Sequence, residues 1–225
     1  MRKKISTVSV VLFLLLSGHS LYAQKKLSVG IQGGLGGATA YHSYKGEDEN
    51  ISDLELGIPK IYPVFSHMYN LYLFYRINED FGIAFEPGMI RKGYGYKNIT
   101  EDRDVVFSRK RMDYMQLPLL AEFHVEESIV LTVGPEFGYL WNAKLSTSVN
   151  SGPNGITELP KRNRFDFGIQ IGGYYTLKKY LDVGIKVGSS LTKADKFYLI
   201  NDYGEVVSDV SKRYVYVNSF IRVKL

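Results

Sequence analysis

From residue 115 to residue 125 the odd positions are Met115, Leu117, Leu119, Ala121, Phe123 and Val125, and the even positions are Gln116, Pro118, Leu120, Glu122 and His124. Successive side chains of a β-strand point to opposite faces, so this period of two predicts a strand with one apolar and one largely polar face. Residues 214 to 225 repeat it, with Val215, Val217, Ser219, Ile221, Val223 and Leu225 opposite Tyr214, Tyr216, Asn218, Phe220, Arg222 and Lys224. Alternation alone does not decide which face looks inward, because a soluble sheet and a membrane wall show the same pattern.

Eight such runs, rich in Val, Ile, Tyr and Phe, are predicted over 27–36, 67–77, 81–94, 113–125, 129–143, 164–177, 180–192 and 213–225. Helical periodicity is nowhere sustained. The connections alternate: Asn78 to Asp80, Glu126 to Ser128 and Lys178 to Lys179 are tight turns, whereas about 30, 18, 20 and 20 residues separate the other pairs. Short turns at one end and long polar loops at the other predict an all-β fold, an eight-stranded antiparallel up-and-down transmembrane β-barrel. Many runs also exceed the ~9 to 11 residues of a tilted crossing, while soluble strands average about 5 or 6. Aromatics gather near the run ends, at Tyr69, Tyr75, Phe81, Tyr114, Phe123, Tyr139, Trp141, Phe165, Tyr175 and Tyr180, as two interfacial girdles would require. Pro87, Pro118 and Pro135 fall inside predicted strands, where each lacks a ladder donor, and are expected at bulges.

With the apolar parity outward, Leu117, Leu119, Phe123, Val183, Ile185, Ile221 and Val223 face lipid. The inward set then holds Arg76, Lys92, Lys186, Arg222 and Lys224 against Glu86, Glu122, Glu136, Asp166 and Asp182. Five bases meet five acids. An eight-stranded barrel has an interior just wide enough for side chains to fill, so this balance predicts a cross-linked polar plug, with Gln32, Gln116 and Gln170 as hydrogen-bonding filler. Inward glycines, among them Gly30, Gly34, Gly82, Gly88, Gly134, Gly138, Gly168, Gly172, Gly184 and Gly188, are expected to make room for long Arg and Lys side chains.

Composition fits this picture. Arg2, Lys3 and Lys4, the nine-residue apolar run from Val8 to Leu16 and small Ala23 predict a secretory signal over 1–23, with the barrel domain over 24–225. The run is too short for an anchor helix, which needs ~20 residues. The formal charge of +5, less the three charges of Arg2, Lys3 and Lys4, leaves +2, so nucleic acid is not an expected partner. No cysteine is present, which excludes disulfides, thiolate metal ligation and a lipidated cysteine. Beyond the signal no helix-length apolar run remains, so a membrane crossing must use strands.

Candidate chemistry is sparse. Gly33, Gly34, Leu35, Gly36 and Gly37 are followed by no Lys-Ser/Thr and open no helix, so they read as a flexible strand end and not a phosphate loop. Glu47, Asp48, Glu49, Asp53 and Glu55 lack calcium-loop spacing and read as a solvated loop. His42, His67 and His124 are too scattered for metal ligation, so no metal or other cofactor is expected. His67 beside Ser66 raises the comparison with a lipid hydrolase at the outer rim, which needs a third orienting group and an oxyanion site that sequence does not show. No enzymatic activity is expected. The long loops hold Lys97, Glu101, Asp102, Arg103, Asp104, Arg109, Lys110, Arg111, Lys144, Lys161, Arg162 and Arg164. Arg109, Lys110 and Arg111 are candidate donors to lipopolysaccharide phosphates, an ordinary solvated loop being the other reading.

The string Tyr114-Met115-Gln116-Leu117-Pro118-Leu119-Leu120-Ala121-Glu122-Phe123, then Val133-Gly134-Pro135 with Gly138-Tyr139-Leu140, Asp166-Phe167-Gly168, and Glu86-Pro87-Gly88 leading to Lys92-Gly93 resemble the PorT-like outer-membrane β-barrel family. The resemblance implies an eight-stranded barrel of the Gram-negative outer membrane, of a kind often called porin-like, with a namesake associated with protein secretion. It carries no catalytic residues. The expected partners are outer-membrane lipid and lipopolysaccharide, the barrel assembly machinery, and an envelope or secretion protein. The expected role is a structural or interaction component of the envelope. The alternatives are a narrow diffusion channel and a soluble lipocalin-type barrel with its apolar face inward.

Overall fold

The computed structural model describes residues 26–45, 60–99, 105–149, 155–159, 164–193, 195–200 and 206–225. The export signal expected over 1–23 and the acidic stretch from Glu47 to Glu55 lie outside them. The strands are β1 (Leu27–Lys45), β2 (Lys60–Tyr62), β3 (Val64–Arg76), β4 (Phe81–Phe85), β5 (Gly88–Ile99) and β6 (Val105–His124) in the first half. The second half has β7 (Ile129–Val149), β8 (Gly155–Glu158), β9 (Phe165–Lys178), β10 (Leu181–Ser190), β11 (Asp195–Ile200) and β12 (Val206–Lys224).

Pairing is antiparallel throughout, and β1 bonds both to β3 and to β12, which closes the sheet. Around the ring run β1, β3, β4 continued by β5, β6, β7, β9, β10 and β12, so eight strands make the wall. Closure removes the exposed edges that an open sheet would carry into lipid. β2, β8 and β11 extend the wall by pairing with β5, β7 and β12 at the long-loop end.

The wall is taller than the sequence pattern predicts. β1 runs to Lys45, β6 begins at Val105, β7 reaches Val149 and β12 begins at Val206. Once the aliphatic stretch has set the register, backbone pairing continues through polar residues such as Arg109 opposite Ser146 without needing hydrophobic alternation. The tight turns fall where expected, over 77–80, 125–128 and 179–180.

The prolines are accommodated differently from expectation. Pro87 sits in the gap between β4 and β5, where its carbonyl accepts from Leu71 N at 2.9 Å. Pro118 and Pro135 cause no register change: Pro118 opposes Glu136 and Ala121 opposes Val133 in the same register, with the ladder interrupted only between them. The shift in this strand pair lies between Asp113 and Tyr114 instead, opposite Trp141.

Polarity is inverted relative to a soluble protein. Ile31, Leu71, Leu131, Ile171 and Ile221 are each more than half exposed on the outer wall, while Glu86, Glu122, Asp182, Lys186 and Arg222 are fully enclosed. A soluble lipocalin-type barrel requires the reverse, and that alternative is overturned.

Much of the interior towards the long loops is aromatic. Tyr94, Tyr214 and Tyr216 are buried there with Met68, Met112 and Ile90. Tyr114, expected in a girdle, is also inside, because it shares the inward parity of Gln116. Most of the inward glycines would drive a Cβ into a neighbouring strand's backbone carbonyl, as at Gly30, Gly34, Gly134 and Gly168, and a few make room for rings instead of basic side chains. A Cβ at Gly188 would stand 2.3 Å from the Tyr216 ring, and one at Gly82 would stand 2.3 Å from Phe74. Gly172, beside the Lys186 stem at 3.1 Å, fits the original expectation.

Candidate functional site: a charged interior and a basic outer rim

Two clusters cross-link the interior. In the first, Glu86 between β4 and β5 accepts from Arg222 Nη2 of β12 at 2.9 Å, from Gln32 Nε2 of β1 at 2.6 Å, and from Lys186 Nζ of β10. Arg222 Nε also donates to Gln32 Oε1 at 3.1 Å, and its Nη1 lies 3.6 Å from Asp182 and 3.9 Å from Glu122. Tyr72 and Tyr174 each donate a hydroxyl to Glu122 Oε2, at 2.9 and 2.8 Å. The guanidinium carbon lies 3.6 Å from the Tyr72 ring centre, so the planar cation is both hydrogen-bonded and stacked. Lys224 and Thr176 hold the other face of Asp182 at 2.7 and 2.9 Å.

The second cluster is nearer the long loops. Lys92 of β5 bridges Glu136 of β7 at 2.5 Å and Asp166 of β9 at 2.7 Å. Tyr216 donates to Glu136, and Ser190 and Thr192 donate to Asp166. Also enclosed in the lumen are amides: Gln116 Nε2 donates to Asn70 Oδ1 at 2.9 Å, whereas Gln170, expected as hydrogen-bonding filler, and Asn218 are fully buried with no side-chain hydrogen bond among the described residues. Each carboxylate meets several donors from strands far apart in the chain. Buried charges otherwise lose solvation at a cost of several kcal/mol per ion, so only this dense pairing makes them tolerable.

Nine of the ten expected interior charges belong to these clusters. Arg76 does not: it is the last residue of β3 and is exposed at the short-turn mouth, where the strand ends before its side chain can enter the lumen. On the outer wall Leu117, Leu119, Phe123, Ile185, Ile221 and Val223 are exposed, and Val183 is half-exposed. The interior tyrosines were missed as cluster members because aromatic residues also mark girdles. Their inward parity, shared with charged neighbours, was the available signal.

Ser66 and His67 do not form a hydrolytic pair. Ser66 is buried on the inner face, its hydroxyl donating to the Arg91 carbonyl at 2.7 Å, while His67 lies on the outer face between Phe65 and Tyr69. His124 is half-buried beside Phe74, and the side chain of His42 lies outside the described residues. Among the described residues no three His, Asp or Glu side chains could hold a metal ion.

The candidate rim bases lie on β6, not in a loop, and they diverge. Arg109 and Arg111 are exposed on the outer face, whereas Lys110 has the opposite parity and turns towards the Tyr94 ring, 6.0 Å from its centre. Lys144, exposed on β7, stands directly opposite Arg111. The bulge at Trp141 puts it there: the extra residue switches β7 from odd-outward to even-outward. Below this pair, Arg91 binds Asp113 through two contacts at 2.7 and 3.3 Å. Arg164 donates to the Tyr139 hydroxyl at 3.2 Å beside exposed Trp141. Residues 101–104, Lys161 and Arg162 lie outside the described residues.

A closed barrel with an aliphatic exterior and a polar, side-chain-filled interior defines an outer-membrane barrel protein. The chain belongs to the family described as outer membrane protein beta-barrel domain, which matches residues 22–196. Among solved structures it is similar to Neisserial surface protein A, at 15% identity over 88% of this chain and 97% of that chain, with a TM-score of 0.38. It is also similar to OprG from Pseudomonas aeruginosa, at 11% identity over 89% and 97%, with a TM-score of 0.41. The outer membrane protease OmpT from Escherichia coli matches at 8% identity over 92% and 99%, with a TM-score of 0.41. No curated protein matches the sequence. The protein resides in the outer membrane.

Proposed function

We propose that the protein is a non-conducting, non-enzymatic structural and interaction component of the envelope, exported by a signal over residues 1–23 and inserted by the barrel assembly machinery. The observation that carries this reading is the Glu86, Arg222 and Lys186 cluster. Side chains from the β4–β5 junction, β10 and β12 meet inside the lumen with no exposed surface, and Tyr72 and Tyr174 flank them. An ion following the axis would have to part these pairs and lose hydration against buried tyrosines. The wall above the membrane is then the surface offered to a partner. The PorT-like strand motifs favour a secretion assembly as the class of partner.

The narrow-channel reading predicts stable conductance, and planar-bilayer recording separates the two. The purified barrel should insert without stepwise current. Reproducible steps in the native protein would refute the plugged reading and favour a diffusion channel.

A further inference from the structure

On the outer wall, where the β4–β5 strand breaks at Pro87, the surface is dented into an apolar groove of about 720 Å³ lined by Ile31, Gly33, Leu71, Pro87, Met89 and Met115. The groove opens towards lipid. Along β6, Arg111 lies on the same outer face as Met115 and four residues further towards the long loops, a separation of ~13 Å at strand rise. There the wall changes from aliphatic to basic. Arg109, Arg111 and Lys144 are exposed, and among the described residues no carboxylate is within ion-pair distance of any of them, although exposed Glu158 of β8 is the cross-strand neighbour of Lys144. Asp113, the acid between groove and bases, is already neutralised by Arg91. Trp141 lies on β7 at the bulge opposite Asp113 and Tyr114, just below this basic level, at the depth where amphipathic rings settle between acyl chains and headgroups.

We infer that this ridge and groove form one lipid seat, holding a lipid A molecule of the outer leaflet. Its phosphates are received by Arg111, Lys144 and Arg109, and one acyl chain lies in the groove beneath. Three clustered cations, of which only Lys144 has an acid, Glu158, as a cross-strand neighbour, suit a headgroup with two phosphates better than the single diester of a phospholipid, since charge-assisted donors gain with each anionic oxygen they meet. The long-strand end is the outward-facing one in barrels with short periplasmic turns, which places the ridge in the leaflet that carries lipid A. The inference rests on the membrane-barrel reading above and adds a specific ligand to it.

The test is native mass spectrometry of the full barrel released from detergent after incubation with bisphosphorylated lipid A or with phosphatidylglycerol. The native chain should retain one lipid A. R111Q/K144Q should weaken retention about thirty-fold, from two lost cations at the headgroup level. G33L should weaken it about tenfold by filling the groove, and a Cβ at Gly33 meets only the Tyr69 ring at 3.8 Å, so the wall accommodates it. K178Q/K179Q, at the short-turn rim, should leave retention unchanged. Heat-modifiable gel mobility of each variant reports closure separately, so loss of mobility change in the native chain would refute the barrel reading itself. Retention of phosphatidylglycerol equal to lipid A, or a closed R111Q/K144Q barrel within about twofold of the native chain, overturns the seat.

Discussion

Glu86→Gln tests the interior network at its most connected atom pair. The carboxylate is fully enclosed and accepts from Arg222, Lys186 and Gln32. An amide keeps one acceptor but turns a donor towards groups that can only donate. Among the described residues Lys186 has no other carboxylate within ion-pair distance, so it becomes an uncompensated buried cation, whereas Arg222 keeps Asp182 and Glu122 nearby. Breaking a buried pair from one side costs about 3–5 kcal/mol, and that is the expected loss. Lys186→Met leaves Glu86 with Arg222 and Gln32 and should cost about 1–3 kcal/mol. The double variant removes both the stranded cation and its partner, so it should fall short of additivity by at least ~2 kcal/mol. Urea unfolding from lipid vesicles, followed through the sole tryptophan, Trp141, measures all three. Additive losses, or a Glu86→Gln cost below about 1 kcal/mol, would refute the coupling.

Two further outcomes follow from the wall and its filling. Ile185→Arg, on the lipid face near the middle of β10, should destabilise the inserted barrel by about 2–4 kcal/mol in the same unfolding assay, and a neutral result would contradict the outward assignment. Gly188→Ala should cost about 1–3 kcal/mol because its Cβ collides with the Tyr216 ring, and the cost should shrink in a Tyr216→Ala background. An equal cost in both backgrounds would mean that the glycine serves something other than the ring.

The alternation from Met115 to Val125 made the strand, its parity and its enclosed carboxylate legible in advance, because period two ties each side chain to a face. The same rule misled at two kinds of position. A bulge changes parity without leaving a signature in residue type, so the switch at Trp141 that brings Lys144 beside Arg111 was invisible. Pairing of segments of mixed polarity such as 106–111 with 144–149 is driven by backbone bonds, which any non-proline residue can make. The bases of β6 were therefore visible as charges but not as a strand with two faces. The fit of glycine to ring, as at Gly188 and Tyr216, depends on neighbours across the sheet whose register a linear reading does not supply.

Arg222 belongs to the final strand of the ring, and its partners Gln32, Glu86 and Glu122 come from β1, the β4–β5 junction and β6. Until β12 docks against β1, Glu86 and Glu122 lack that guanidinium. A half-assembled curtain of strands therefore harbours unquenched acids that oil would repel. Zipping of the terminal seam and neutralisation of the lumen are thus one event, which gives the nascent protein a built-in reason to finish its cylinder before surrendering to the bilayer.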